Sequence, residues 1–193
     1  LLADRNHFPG IDMVKFGESI SIIQKRVTFE NISILEVYEK AIAVFRDYYE
    51  YEVIQEADRK KVEKIPEAAF REAIANSLIH RVWDVESQIR VLMFDDRIEV
   101  VSPGGLPSGI TVNEYLAGKL SALRNRNLAN VFYRLGFVEI FGTGIIRIKQ
   151  LYEESLAKPE FEVSENAIKV VLPIFENNFN LSEDEKAIYK VLS

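Results

Sequence analysis

Residues 71–81 read REAIANSLIHR, and the fold turns on how this stretch is read. Glu72, Asn76 and His80 are spaced four apart, so on a helix they fall within one sector roughly 80° wide. Ala73 and Ile79 flank that sector, while Phe70, Ile74 and Leu78 hold the opposite side. A surface helix has a broad polar face and a narrower apolar stripe. This stretch is closer to the reverse: an apolar helix carrying a thin line of acid, amide and imidazole. Arg71 and Arg81 point toward the apolar side near the helix ends, where long side chains can snorkel to solvent.

Working outward, Pro66 suits the first turn of this helix. Upstream, IDMVKF and SISIIQKRVTF within residues 11–29 are β-branched and aromatic, are interrupted at Gly17, and predict strands. NISILEVYEKAIAVFRDYY predicts a long helix, with Ser33 and Glu36 as a capping box and Ile32 with Val37 as its staple. QEADRKKVEK reads as a charged connector. Downstream, SQIRVLMF and RIEVVS predict a hairpin around Asp95-Asp96, followed by the glycine-rich loop SPGGLPSG. Thr111 and Glu114 box a short helix ending at Gly118, NLANVFYRLG predicts another, and GTGIIRIKQLYEES begins one behind Gly142 and Gly144. FEVS and AIKVVLP predict a second hairpin around Glu165-Asn166. Ser182 and Glu185 box a last amphipathic helix. The sum is strands in a mostly antiparallel sheet with several helices on one face.

The 193 residues suffice for one sizeable domain or a domain plus a fragment. A net charge of −6 argues against a surface that attracts nucleic acid as a whole. With no cysteine and only His7 and His80, thiolate chemistry and a histidine-rich metal site are excluded. No apolar run approaches a membrane span. The chain opens Leu-Leu without methionine, and it is expected to be a piece of a larger cytoplasmic protein.

The order of parts suggests a site. Glycine loops let backbone amides approach a phosphate, and a helix start behind Gly142-Thr143-Gly144 offers free N–H groups. An Asn on a facing helix binds Mg²⁺ through its carbonyl oxygen, and a carboxylate one turn earlier polarises water. Each part has an ordinary reading as well. The Glu72/Asn76/His80 stripe can be a solvated helix face, PGGLP a tight turn, and GTGI a packed helix start. The basic bias of Arg124, Arg126, Arg134, Arg147 and Lys149 can be a solvated surface.

These motifs resemble the GHKL ATPase superfamily. Glu72-x3-Asn76-x3-His80 is similar to its N-box, PGGLP sits where it has its first glycine box, and GTGI where it has its second. More closely, REAIANSLIHR, FDDRIEVVSPGGLP and SALRNRNLANVFYRLGFVEIFGTGIIRI resemble the C-terminal domain of the so-called RecG-related helicases, a family of bacterial and archaeal transcriptional regulators. The resemblance implies an α+β two-layer sandwich, a mostly antiparallel sheet with helices on one face. It implies a domain over 1–175, closest over 66–171, with 176–193 as linker and first helix of a truncated winged-helix-like domain. It implies Mg²⁺ and ATP as cofactors: Asn76 on the metal, Glu72 as general base, and His80, Gly104, Gly105, Gly142, Thr143 and Gly144 around the nucleotide. DNA would be bound through domains outside this chain.

Two departures bear on activity. Aligning Gly105 with the last glycine of Asp-x-Gly-x-Gly puts Val101 at the adenine-reading Asp, and valine accepts no hydrogen bond. Gly104 and Gly109 have Walker A spacing, but Ile110-Thr111 follow where Lys-Ser/Thr is required, so a helicase motor is not expected. Arg147 at the third glycine position likewise breaks a Rossmann fingerprint. The expected function is a nucleotide-binding regulatory domain, at most a slow Mg²⁺-dependent ATPase. The alternative is an inactive GHKL-like scaffold for homodimerisation or for sensing another ligand.

Overall fold

The computed structural model describes residues 2–4, 6–55, 58–118, 123–138 and 142–175. The expected downstream helix at 183–193 lies outside these residues, as does the 176–182 linker. Six strands form the main sheet: β1 (Ile11–Phe16), β2 (Ile23–Phe29), β5 (Ile89–Met93), β6 (Arg97–Pro103), β7 (Glu160–Val163) and β8 (Ala167–Pro173). Their order is β2-β1-β5-β6-β8-β7. Among the described strands only the β1–β5 pair is parallel, with Ile11 opposite Ile89. Against one face of the sheet pack α1 (Ile34–Tyr49) and α2 (Glu67–His80), with α4 (Arg126–Arg134) and α5 (Gly144–Leu151) beside α2. The short α3 (Val112–Leu116) follows the glycine-rich loop. The domain is therefore the expected α+β two-layer sandwich.

The core lies between the layers. Strict alternation sends Ile11 and Met13 of β1, Ile89, Val91 and Met93 of β5, Ile98 and Val100 of β6, and Val170 and Leu172 of β8 toward the helices. From above, α1 contributes Ile34, Val37, Tyr38, Ala41 and Phe45, and α2 contributes Phe70, Ile74 and Leu78. Phe45 and Phe70 stack at 4.4 Å between centroids. The outer sheet face carries charge instead: Lys169 reaches Glu162 at 2.7 Å, and Arg97 reaches Glu99 at 2.7 Å.

Three expectations need correction. The charged connector is a hairpin, β3 (Glu50–Gln55) with β4 (Asp58–Glu63). Its strands lack the apolar alternation that marks a half-buried strand, and charge pairs such as Lys61–Glu50 at 2.8 Å hold its base. Ser33 stands at the N-cap of α1, but its side chain makes no capping bond. Arg81 does not snorkel: it is 0% exposed, its guanidinium lies over the rings of Phe8 and Trp83, and Nη2 donates to Val85 O and Ser87 O. The Thr111–Glu114 capping box forms as expected.

Candidate functional site

The central helix α2 is positioned from both ends. Pro66 at its N-cap has no side-chain acceptor, and Glu63 from β4 accepts the Glu67 amide at 2.8 Å instead. Glu67 in turn takes a bidentate bond from Arg46 of α1, at 2.7 and 2.8 Å. That guanidinium holds the Glu67 carboxyl down at about 2. Among the described residues, Glu50, Glu63 and Glu67 form one close carboxylate group, and Arg46 and Lys61 neutralise it.

With α2 fixed, its polar stripe meets the start of α5. Asn76 Nδ2 donates to Glu72 Oε1 at 3.1 Å, and Arg147 Nη1 lies 4.0 Å from Glu72 Oε2. Gly144 packs directly on this pair: a Cβ built there would overlap the Glu72 carboxylate and come within 2.7 Å of Asn76 Nδ2. Glu72 is buried at 7% exposure. The acid, the amide and the second glycine motif thus form one contact.

On the C-terminal side of that contact lies a cavity of about 90 Å³. Asn76, His80, Gly105, Gly142 and Gly144 all line it, so five of the residues singled out in the sequence converge. The rest of its wall is mainly apolar, with Ile110, Ile145, Ile168 and Val170. Tyr115 also lines it, and burial pushes its phenol up to about 12. Toward the N-terminal end of α2 lies an open groove of about 480 Å³, lined by Arg46, Lys61, Arg71 and Arg147 together with Glu67 and Glu72. The Glu72–Asn76–Gly144 contact separates the two spaces.

The first glycine loop works differently from its sequence reading. The Gly104 amide donates to Asn166 O at 2.8 Å and the Gly105 amide to Glu165 O at 3.1 Å, so both are taken by the β7–β8 turn. Gly104 has φ +102° with Val82 against it, and a Cβ on Gly105 would lie 2.5 Å from the Ser164 and Glu165 carbonyl oxygens. These glycines are needed for close packing, and only Gly105 of the two lines the cavity. Thr143 is the N-cap of α5 without a side-chain capping bond.

Two further residues, Ser102 and Arg124, line the cavity. Val101 pairs with Arg90 and Lys169 on the outer sheet face, whereas its neighbour Ser102 faces the cavity. A one-residue step along a strand reverses the face, so of these two neighbours it is Ser102 that reaches the cavity. Ser102 Oγ donates to Ser77 O at 3.2 Å. Arg124 also lines the cavity, donating from Nη1 to His80 O and from Nη2 to Gly105 O, both at 2.8 Å. It ties the end of α2 to the glycine loop. The alternation of Ile98, Val100 and Ser102 could have pointed to Ser102, whereas no sequence signal separates Arg124 from its basic neighbours.

The fold is consistent with a GHKL-like two-layer sandwich. Residues 86–172 match the family model described as "Putative ATP-dependent DNA helicase recG C-terminal", which supports a RecG-related domain. The structure is similar to that of the DIP2311 protein from Corynebacterium diphtheriae, with a TM-score of 0.73 and 26% identity. The likeness covers 91% of this chain but 36% of that one, so the chain spans about a third of its length. No curated protein matches.

Proposed function

We propose that this is a nucleotide-binding regulatory domain of a transcriptional regulator whose DNA contacts lie elsewhere, and not a helicase motor. The observation that carries it is the convergence of Asn76, His80, Gly105, Gly142 and Gly144 on one cavity from three separate segments. Asn76 offers its amide oxygen to Mg²⁺, since Nδ2 is the atom engaged with Glu72. Glu72 is the carboxylate placed to orient or deprotonate a water. The base end of the ligand lies in the cavity, and the phosphates lie beyond Gly144 toward the Arg71 and Arg147 side of the groove. A cavity of about 90 Å³ is well under the roughly 300–1,000 Å³ of a complete ligand site, so both spaces are required.

That same tight contact favours a second reading. If the acid, amide and glycine never part, the domain is an inactive scaffold for dimerisation or for another ligand. A thermal melt with millimolar nucleoside triphosphate, with and without Mg²⁺, separates the two. Ligand at about 100 times its Kd adds about 2.7 kcal/mol, a clear shift. The shift should require Mg²⁺ and vanish in Asn76→Ala. Where turnover is measurable, Glu72→Gln should slow it about 10²–10⁴-fold. Absence of any shift would overturn the nucleotide reading and favour the scaffold.

A further inference from the structure

Several polar groups of the cavity are already committed to the protein. Ser102 Oγ donates to Ser77 O, Arg124 donates from both Nη atoms to His80 O and Gly105 O, and Asn76 Nδ2 donates to Glu72. The phenol of Tyr115 is different: it lines the cavity, and no described residue bonds its hydroxyl. It is α3 that places it there. The Thr111–Glu114 capping box starts that helix, and the Tyr115 amide donates to Thr111 O at 3.0 Å. At the other end Lys149 of α5 donates to Leu116 O at 3.0 Å, and Gly118 leaves room for Ile146. So α3 is fixed to α5, and it supplies a wall other than that of Asn76 and His80.

Burial pushes this phenol up to about 12, so it stays protonated well above neutral pH and can both donate and accept. A hydroxyl kept from water without a partner costs the fold stability, and buried polar groups ordinarily meet protein, water or ligand. The apolar wall of Ile110, Ile145, Ile168 and Val170 offers it no side-chain partner. Adenine carries an amino donor beside a ring-nitrogen acceptor, and one hydroxyl can pair with either. Building on the nucleotide reading above, we propose that Tyr115 is the residue that holds the base of the nucleotide, through a hydrogen bond at its hydroxyl. Its oxygen serves the ligand and not the fold, so the two roles can be separated by experiment.

The test compares the 193-residue chain with its Tyr115→Phe variant, which keeps the ring and removes only the oxygen. Each is melted without ligand and titrated calorimetrically with ATP in the presence of Mg²⁺. Without ligand, the variant should melt at the same temperature or higher. With ATP, its Kd should rise about three- to tenfold, the scale of one hydrogen bond. Stability kept while affinity falls is a pattern that a structural role does not produce. Calorimetry reads affinity directly, so the comparison does not depend on the variant's stability. An unchanged Kd overturns the proposal and leaves the nucleotide reading intact. A lower melting temperature without ligand assigns the hydroxyl to the fold and overturns the proposal as well. No binding of ATP by the wild-type chain overturns the nucleotide reading, and this one with it.

Discussion

At the scale of single residues, Gly144 is a position where the site leaves no room for a side chain. A glycine in a helix is ordinarily a liability, and Gly→Ala at a compatible φ gains about 0.4–1 kcal/mol. Here the added methyl group would enter the buried Glu72–Asn76 pair. Gly144→Ala should therefore destabilise the fold, by roughly 1–3 kcal/mol as overpacking does. Denaturant titration measures this, and the double variant Glu72→Ala/Gly144→Ala should recover part of the loss. A stabilised Gly144→Ala would mean that α5 does not rest on the acid and amide. The same scale shows what the sequence could reveal. The spacing of Glu72, Asn76 and His80 is local, so it was legible; that Asn76 and His80 line a cavity while Glu72 turns to the groove depends on α5 and was not. Ser102 was legible in principle from strand alternation, since it shares a face with Ile98 and Val100.

Among the elements, local signals succeeded where the partner lies within a turn and failed where it lies across the fold. Thr111 and Glu114 cap each other within three residues, and α3 starts where they say. Ser33 and Glu36 have the same spacing, yet Ser33 makes no capping bond. Thr111→Ala should cost about 1 kcal/mol by chemical denaturation, the usual value of an N-cap, whereas Ser33→Ala should cost only a few tenths. A large Ser33 effect would show that the bond forms in solution. The start of α2 illustrates the opposite failure. Its cap is Glu63, delivered by a hairpin whose charged strands gave no amphipathic signal. No reading of Pro66 and its neighbours could have supplied that acceptor.

For the whole molecule, the Arg46–Glu67 pair locks α1, α2 and the hairpin together, and its effect should be visible as pH-dependent stability. The Glu67 carboxyl titrates at about 2, below its usual 4.5, chiefly because it accepts two bonds from Arg46. A depressed carboxylate favours the folded state above its unfolded pKa. That contribution is complete above about pH 5 and disappears as the pH falls through the folded value. Wild-type stability should thus fall between about pH 4.5 and pH 2. Glu67→Gln should lose roughly 2–3 kcal/mol at pH 7 and show a flatter acid limb. Equal acid limbs in the two proteins would place the charge coupling elsewhere.

The single parallel pairing has a consequence for how this sheet is assembled. Every other strand pair joins neighbours along the chain or encloses the stretch from the glycine loop to β7, but β1 and β5 flank α1, the β3–β4 hairpin and α2. The β1–β2, β5–β6 and β7–β8 pairs are local, but joining them into one sheet takes two long closures: the crossover of residues 17–88 between β1 and β5, and the connection of residues 104–166 between β6 and β8. Closing so large a loop costs entropy before any contact repays it, which makes non-local pairings slow to form. The helix that carries Glu72, Asn76 and His80 is the last segment of that crossover. The glycine loop and α5, which supply the opposite walls, lie in the other connection, so the pocket is complete only once both closures have been made, and a ligand held there would clamp the two connections to each other.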